Sequence, residues 1–581
     1  MKKLNKLYLI VAFMFVGYSC EITDLDQLNN PNAVTLENAG IDLYWNAVQT
    51  AFPGWWYGNQ TPFLQVSRVA CMTWGASYAE AYNPSDFNGS WNGAYAGIVP
   101  DIDAMIEAAA AAESWIHVGA GKIIKGYVMQ LMVDKHGDIP YSEAWQGTAN
   151  LSPKVDDAQA VYAAIAGLYD EGIADLGKTA IGAPAIDIFY GNDKAKWVTL
   201  ANTLKFRMAL NEGNAAGVAS ALSAGVIDEQ AEDWVFTYGS NRQNPDSRHP
   251  WYGGAYESFA GPYQSNYFMW ELMEEKPFAD PRLRYYYKRQ DLQMNDEDLF
   301  TLDCVVPDTR PSWYDNQYTN AYGETKTWPF CGGSSLTTTD GAYAKGYWGR
   351  DHGNNDGTPP DGQKRTHRGI YPAAGAYDDG DSSTETDGAV EAGLAPTIHT
   401  QQGGTTGAGG DGHAPILMAS NVFFMRAEAA LDGFSSENAK DMLEQAIRVS
   451  VASVMDYSNG WGSTGDFDLN GVGAEPNARS IDSYVGYVLD AYDAAADNEA
   501  KMNIIVKEHR LASFSNGIEL YNAMRRTGHP TEMQGPMKLQ DAGTFPRLFP
   551  YPADFSNLNA NAPVRTDYGE KIFWDRAGVL N

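Results

Sequence analysis

The sequence predicts a mainly α-helical fold of paired helices, interrupted by one long insertion rich in loops and aromatic residues. Apolar residues recur at helical spacing on both sides of that insertion. Between residues 227 and 414 the spacing is lost, and Pro, Gly, Asp and Tyr dominate. With 581 residues the chain is long enough to bury a large core without a disulfide framework.

The first 19 residues are typical of an export signal. Three lysines precede an apolar run over residues 7–16, which is too short to cross a bilayer because a spanning helix needs roughly 20 residues. The run ends at Gly17-Tyr18-Ser19-Cys20, which resembles the cleavage box of bacterial lipoproteins, whose cysteine becomes acylated. We therefore predict a lipid anchor at Cys20 and a polar tether over 20–36, with an ordinary secretory signal as the alternative.

Residues 37–226 form the predicted N-terminal helical scaffold. Four segments in it place their apolar residues on one helical face: 41–52, 124–131, 161–176 and 197–208. Antiparallel helix pairs are the economical packing of such a series. Trp45 and Trp197 lie on these apolar faces, so we expect both in the core.

Residues 415–581 form the predicted C-terminal helical scaffold, with helices over 419–431, 438–455 and 480–526. The first two carry small residues on the faces that would meet, as in a tetratricopeptide unit. These small residues are Ala427, Ala429, Ala430, Ala439 and Ala446. The pattern predicts a tightly packed helix pair at this end of the chain.

Tryptophans at Pro- and Gly-bounded turns are the candidate ligand-binding residues. An aromatic face packs on the C–H face of a sugar ring, while polar side chains at the rim bind its hydroxyls. Trp55-Trp56-Tyr57, between Pro53 and Gly58, is predicted to be an aromatic loop outside a helix. The candidate residues are Trp55, Trp56, Trp74, Tyr78, Trp313, Trp328, Trp348 and, as a rim donor, Arg350. For any one of them, core packing is the alternative.

Charge and motif content exclude several function classes. The chain has 73 acidic and 41 basic residues and a net charge of −32, so nucleic acid and anionic lipid are poor partners, whereas neutral sugars are indifferent to this charge. The sequence contains no H-E-x-x-H, G-x-S-x-G or P-loop motif. Carboxylates are too numerous for counting to exclude a glycosidase pair, since its defining separation is spatial. A glycoside hydrolase is thus the second hypothesis and a non-catalytic adhesive surface protein the third.

One oxygen-rich loop and two cysteines leave alternatives open. Asp351 and Asp356 belong to a loop whose spacing departs from that of an EF-hand, so a solvated turn is preferred and a structural calcium ion is the alternative; we predict no other cofactor. Cys304 and Cys331 lie in one loop-rich stretch, where pairing is an open question. Cys71 lies in an apolar helical pattern and is expected to be buried.

Five landmarks in sequence order resemble the SusD/RagB family of lipoproteins. They are the Cys20 box and the segments 136–144, 197–207, 424–431 and 508–528. The resemblance implies tetratricopeptide-like helix pairs in a superhelical scaffold with a loop-rich ligand face. It also implies a surface-exposed outer-membrane lipoprotein for nutrient uptake that captures oligo- or polysaccharide without cleaving it. Its implied partner is a SusC-like TonB-dependent β-barrel transporter.

Charged residues within these landmarks also have a purely structural interpretation. Charges inside helical patterns most often cap helices or pair at helix contacts. The residues concerned are Arg207, Arg426, Glu428, Glu508, Glu519, Arg525 and Arg526. We expect them to hold the scaffold together. The identity and linkage of the glycan do not follow from the sequence.

Overall fold

The computed structural model describes residues 40–73, 75, 77–257, 263–288, 317–328, 347, 349–354, 366–378, 407–458, 481–536 and 543–580. Cys20, Cys304 and Cys331 lie outside these residues. The described chain is mainly helical, with three two-stranded antiparallel sheets. No described helix is both long and apolar enough to cross a membrane.

The N-terminal part is built from helices that pack on their sequence neighbours. They are α1 (Ile41–Val66), α2 (Tyr78–Ala81), α3 (Asn88–Asn92), α4 (Val99–Ala111), α5 (Trp115–His136), α6 (Ala158–Leu176), α7 (Lys194–Glu212) and α8 (Ala215–Ala224). Helix α5 packs between α4 and α6, and α7 packs on α8. The four predicted helical segments are confirmed, and Trp45 and Trp197 are fully buried as expected.

Helix α1 corrects the predicted aromatic loop. It continues for 26 residues through Pro53 and Pro62, and Trp55 and Trp56 lie in its middle. A proline inside a helix costs about 3 kcal/mol, which packing of a long buried helix can exceed. Because α1 packs against α4 and the C-terminal part of the chain, tertiary contacts override the local turn signal.

Two strands join the ends of the insertion. Strand β1 (Trp234–Thr237) pairs with β6 (His413–Leu417), with Thr237 opposite His413. Between them lie the short helices α9 (Pro250–Tyr256), α10 (Asn266–Met273) and α11 (Leu283–Tyr286), the pair β2 (Tyr287–Lys288) and β5 (His367–Arg368), and the hairpin β3 (Gln317–Thr319) and β4 (Thr325–Thr327). The three helices were missed from sequence because at eight residues or fewer they carry little periodicity.

The C-terminal part contains the predicted helix pair. Its helices are α12 (Ala419–Leu431), α13 (Ala439–Asp456), α14 (Ile481–Ala494), α15 (Asn498–Ala512), α16 (Gly517–Thr527) and α17 (Ala553–Leu558). Helices α12 and α13 pack closely, as their small residues predict. The single helix predicted over 480–526 is instead three helices, because the side chain of Asp497 caps α15 at Ala500 and a turn over 513–516 precedes α16.

Buried ion pairs connect helices far apart in sequence, which confirms the structural interpretation of the landmark charges. Arg526 on α16 forms a bidentate pair with Glu428 on α12, with both N–O distances 2.8 Å, and also donates to Asn211 on α7. Arg207 on α7 lies 2.6 Å from Glu519 on α16. All five side chains are buried. These residues fix the relative positions of three helices.

A second buried cluster attaches the insertion to the scaffold. The ammonium of Lys507 on α15 contacts the carboxylates of Glu271 and Glu275, and Arg510 also pairs with Glu271. Burial alone would lower the pKa of Lys507, but these carboxylates outweigh it and raise that pKa above its usual value. The ion pairs therefore hold α10 firmly against α15.

Asp233, at the base of the insertion, should make stability pH-dependent. Its carboxylate accepts hydrogen bonds from Ala419 N at 2.6 Å and from the Tyr457 hydroxyl at 3.0 Å, yet burial raises its pKa to about 7. Because the folded state holds this proton more tightly than the unfolded state, stability should fall as the pH rises from about 4 to about 7. We expect Asp233→Asn to remove this part of the slope, measured by urea denaturation at several pH values.

Asp156 provides the control for that measurement. Burial would raise its pKa, but donors from Tyr141 and Ser142 outweigh burial and lower it. The stability that the ionised Asp156 carboxylate contributes is therefore lost only at more acidic pH, as the pH falls through its folded-state pKa. Asp156→Asn should leave the slope between pH 5 and about 7 unchanged, and an unchanged slope in Asp233→Asn would contradict the assignment.

Candidate ligand-binding cleft

A cleft of about 750 Å³ lies between α1 and the segment 80–90. Its lining combines aromatic rings with amide, hydroxyl and charged groups. The side chains that line it include Trp55, Asn59, Thr61, Gln65, Glu80, Tyr82, Asn83, Asp86, Phe87, Ser90 and Lys135. A concave site with apolar walls and a few polar groups is typical of small-ligand binding.

Glycines on α1 form the recessed wall of the cleft. A Cβ atom built on Gly54 or Gly58 would meet no other atom within 4 Å, so the space in front of the helix is open. Trp55 bridges to the opposite wall, because its Nε1 donates to Ser90 O at 2.7 Å. Gly93 makes room for that ring, since a Cβ there would lie 2.7 Å from Trp55 Cδ1. Helix α1 thus supplies both the open space and one aromatic edge.

Two capping boxes shape the opposite wall. The Glu80 carboxylate accepts from Ser77 N at 3.2 Å at the start of α2, and the Asp86 carboxylate accepts from Asn83 N at 3.0 Å at the start of a short 3-10 helix. Each box satisfies backbone donors that would otherwise lack partners. Both carboxylates are solvent-exposed, so they lie at the mouth of the cleft.

Lys135 on α5 lies at the floor of the cleft and was missed by the sequence analysis. Its ammonium is buried and donates to Asn59 Oδ1 at 2.9 Å and to Ser90 Oγ at 3.1 Å. It also lies 4.6 Å above the ring of Phe87. Burial lowers the pKa of Lys135 to about 7. In the sequence Lys135 is one of several charged residues on a largely apolar helix, and this pattern does not reveal a cleft.

One end of the cleft reaches a junction of loops. Gln65 Nε2 donates to Cys71 O at 3.3 Å, and Gly353 N donates to Met72 O at 3.0 Å. The segments 71–73 and 351–354 therefore lie side by side. Trp74 and Trp348 lie outside the described residues. Cys71 is buried as expected but belongs to the junction and not to a helix.

The predicted residues Trp55, Trp56, Tyr78 and Arg350 are all buried, which contradicts freely exposed stacking positions; of the four, only Trp55, at 9% exposure, lines the cleft. Trp56 is 1% exposed and donates from Nε1 to the Tyr127 hydroxyl at 2.9 Å, inside the core. Tyr78 is 2% exposed and its hydroxyl accepts from Arg68 at 3.1 Å. Arg350 is 4% exposed and packs its guanidinium over a tyrosine ring. Because aromatic neighbours cover them, local turn signals misjudged their exposure.

Trp328 lies apart from the cleft. It is half-buried and stacks on Tyr318 with ring centroids 4.1 Å apart. Another described ring neighbour of Trp328, Tyr267, packs against the ammonium of Lys507 in the buried ion cluster. The described residues therefore divide the predicted ligand face, with Trp55 in the cleft and Trp328 on the insertion. Trp313 lies outside the described residues.

The calcium hypothesis stays a prediction. Asp351 is buried, its Oδ1 accepts from Gln534 Nε2 at 2.9 Å, and burial raises its pKa to about 6. Asp356 lies outside the described residues. Within the described ranges, no cluster of three or more His, Cys, Asp or Glu side chains is arranged to hold a metal ion.

Two family models match the chain, and together they span more than half of it. A SusD-like model described as "Starch-binding associating with outer membrane" matches residues 31–301. A second SusD-like model, described as "Susd and RagB outer membrane lipoprotein", matches residues 407–561. No curated protein matches the chain significantly.

Several solved structures share the fold at low sequence identity. A structure named a chitin-binding protein has 18% identity and a TM-score of 0.60, covering 92% of this chain and 100% of its own. A Bacteroidetes SusD-like protein, AC2a, has 17% identity and a TM-score of 0.60, with coverage of 92% and 100%. A SusD homologue from Bacteroides vulgatus has 18% identity and a TM-score of 0.58, with coverage of 93% and 98%. These likenesses establish the fold and leave the ligand open.

Proposed function

Because the chain belongs to the SusD/RagB family of outer-membrane lipoproteins, we propose that it binds an oligosaccharide in the α1 cleft and delivers it to a TonB-dependent transporter. The observation that carries the proposal is the cleft itself. It has room for a few sugar rings, an aromatic edge at Trp55 and uncharged donors and acceptors at Asn59, Gln65 and Asn83. Such groups match the alternating apolar faces and hydroxyls of a sugar.

The names of similar proteins support a glycan as the ligand class. One matching family model is described as starch-binding, and one similar structure is named a chitin-binding protein. Starch and chitin differ in linkage and substituents, so these names support a carbohydrate without selecting one. The chain is proposed to bind its glycan without cleaving it.

Filling the cleft should weaken glycan binding while leaving the fold intact. Gly58 lies on α1 with open space in front of it, so Gly58→Met should place a side chain in the cleft. We expect affinity for a glycan found by array screening to fall by roughly tenfold or more, the scale of one lost ring contact. The melting temperature should stay constant or rise, because glycine costs a helix interior up to about 1 kcal/mol. Calorimetry and thermal unfolding measure the two effects.

Gly167→Met is the matched control. Gly167 is a helical glycine on α6 that also has open space in front of it, but it lies outside the cleft. Binding that weakens equally in both variants, or in neither, would contradict the cleft assignment. Chromatography of the glycan after long incubation completes the test, and shortened chains would favour the glycoside hydrolase hypothesis.

Acylation at Cys20 is the proposed attachment to the outer membrane. The motif at residues 17–20 ends the apolar signal run and precedes a polar tether. We expect labelled fatty acid to enter the wild-type chain and not Cys20→Ala. Label that persists in the variant would place the anchor elsewhere. Delivery to the transporter would be supported by co-purification of a TonB-dependent β-barrel with the tethered chain.

A further inference from the structure

Two buried lysines of this chain have opposite electrostatic surroundings. Lys507 is surrounded by three carboxylates, with its ammonium 2.9 Å from Glu275 and 3.5 Å from Glu532 as well as in contact with Glu271. Lys135 is equally buried, but its described hydrogen-bond partners, Asn59 and Ser90, are neutral. No carboxylate of the described residues lies within ion-pair distance of its ammonium.

A buried cation without a neighbouring negative charge is destabilising. The cleft is the place where a bound ligand can bring a negative charge to Lys135. Removing an ammonium from water is strongly unfavourable unless an opposite charge or good hydrogen bonds replace the solvent. Two neutral acceptors replace part of that hydration, and the aromatic ring of Phe87 contributes a cation–π contact. Because Lys135 lines the cleft, a ligand bound there can supply the missing negative charge.

The other charged groups near the cleft do not occupy this role. Glu80 and Asp86 are exposed at the mouth, where each carboxylate accepts a backbone hydrogen bond in its capping box. His136, next to Lys135 in the chain, is buried, and its pKa lies well below its usual value because of burial and then of the Lys135 charge. The mouth of the cleft is therefore acidic, and among the described residues Lys135 is the only lysine or arginine that lines it.

We infer that the oligosaccharide bound in the cleft is acidic, with the carboxylate of a uronic acid placed against the ammonium of Lys135. This inference rests on the proposed function of the cleft and names the class of its ligand. A charge-assisted hydrogen bond at a buried site is stronger than one between neutral groups. A carboxylate at the floor would accept a hydrogen bond from the third N–H of the Lys135 ammonium, while neutral parts of the sugar would contact the edge of Trp55 that lines the cleft.

The net charge of −32 does not oppose this contact at close range. Charges on the solvated surface are screened over about 8 Å at physiological ionic strength, whereas a contact at a buried site is screened much less. The acidic surface should slow the approach of a polyuronate at low salt. Once the sugar is bound, the contact between its carboxylate and the Lys135 ammonium should nevertheless determine the affinity.

Matched pairs of ligands test the inference on the wild-type chain. Hexasaccharides from polygalacturonate and alginate are compared with their carboxyl-reduced forms, which keep each linkage and replace only the carboxylate by a primary alcohol. We expect at least one acidic form to bind roughly tenfold tighter than its reduced form. Binding near pH 7.5 should also take up protons, since the carboxylate raises the pKa of Lys135 above its present value of about 7. Calorimetry in buffers of different ionisation heat measures this uptake.

Lys135→Met should remove both the preference and the proton uptake. Lys125→Met is the matched control, because Lys125 lies on the same helix but pairs with Asp103 and does not line the cleft. The inference is overturned if no acidic form binds better than its reduced form, or if Lys135→Met keeps the preference. If reduced forms bind and Gly58→Met weakens them, the cleft is the glycan site and only its acidic specificity is wrong.

Discussion

Glu428→Ala should lower the free energy of unfolding by about 3–5 kcal/mol, because it leaves the buried Arg526 without its carboxylate. Arg526 now has two N–O distances of 2.8 Å to Glu428 and a third bond to Asn211. After the substitution Asn211 is the remaining described hydrogen-bond partner, the Glu519 carboxylate interacts only at longer range, and the guanidinium is still buried between α7, α12 and α16. Urea denaturation at pH 7 measures the loss.

The control for this experiment is an exposed ion pair on another helix. Arg448 pairs with Glu444 one turn away on α13 and with Asp482 on α14, and all three side chains are well exposed. Replacement of Arg448 by alanine should change stability by only about 0.5 kcal/mol, since water already solvates these charges. Equal losses in Glu428→Ala and Arg448→Ala would show that the buried pair does not hold the helices together.

Trp56→Ala should also cost about 3–5 kcal/mol, as expected for a large side chain removed from a core. Trp56 is 1% exposed and its indole nitrogen donates to the Tyr127 hydroxyl, so the variant leaves a cavity and removes one hydrogen bond of that hydroxyl. Thermal unfolding together with glycan calorimetry separates this role from ligand binding. At a temperature where the variant is folded, its affinity should match the wild type.

Trp115→Ala is the comparison for Trp56→Ala. Trp115 is half-buried at the start of α5, with Lys178 lying 3.9 Å above its ring. Trp115→Ala should lower the free energy of unfolding clearly less than Trp56→Ala does, because the half-buried Trp115 ring buries less apolar surface. A stable Trp56→Ala variant that binds glycan poorly would instead restore Trp56 as a stacking residue.

The scaffold was predictable because helical periodicity reports burial directly. Trp45 and Trp197 lie on apolar faces that repeat every three to four residues, and both are buried in the core. The pair α12 and α13 followed in the same way from small residues spaced along two helices. In each case a local sequence pattern indicates which face of a helix is packed, so this prediction requires no information about residues distant in sequence.

The candidate site was less predictable because it depends on residues distant in sequence. The local signals around Trp56 came from Pro53 and Gly58, which favour a turn in a short peptide but lie within α1 in the fold. Trp55 was singled out for the same reason, yet it lines the cleft only because residues 80–90 pack opposite it. Lys135 approaches from a third segment, and no spacing rule connects these three parts of the chain.

Pro62 in the wall of the cleft has a further consequence for recognition. Proline has no N–H, so the carbonyl of Gly58, four residues earlier in α1, lacks the donor that an uninterrupted helix would supply. Both residues line the cleft. The main chain itself can therefore accept a hydrogen bond from a sugar hydroxyl there, and side-chain substitutions that retain the proline would leave this acceptor in place.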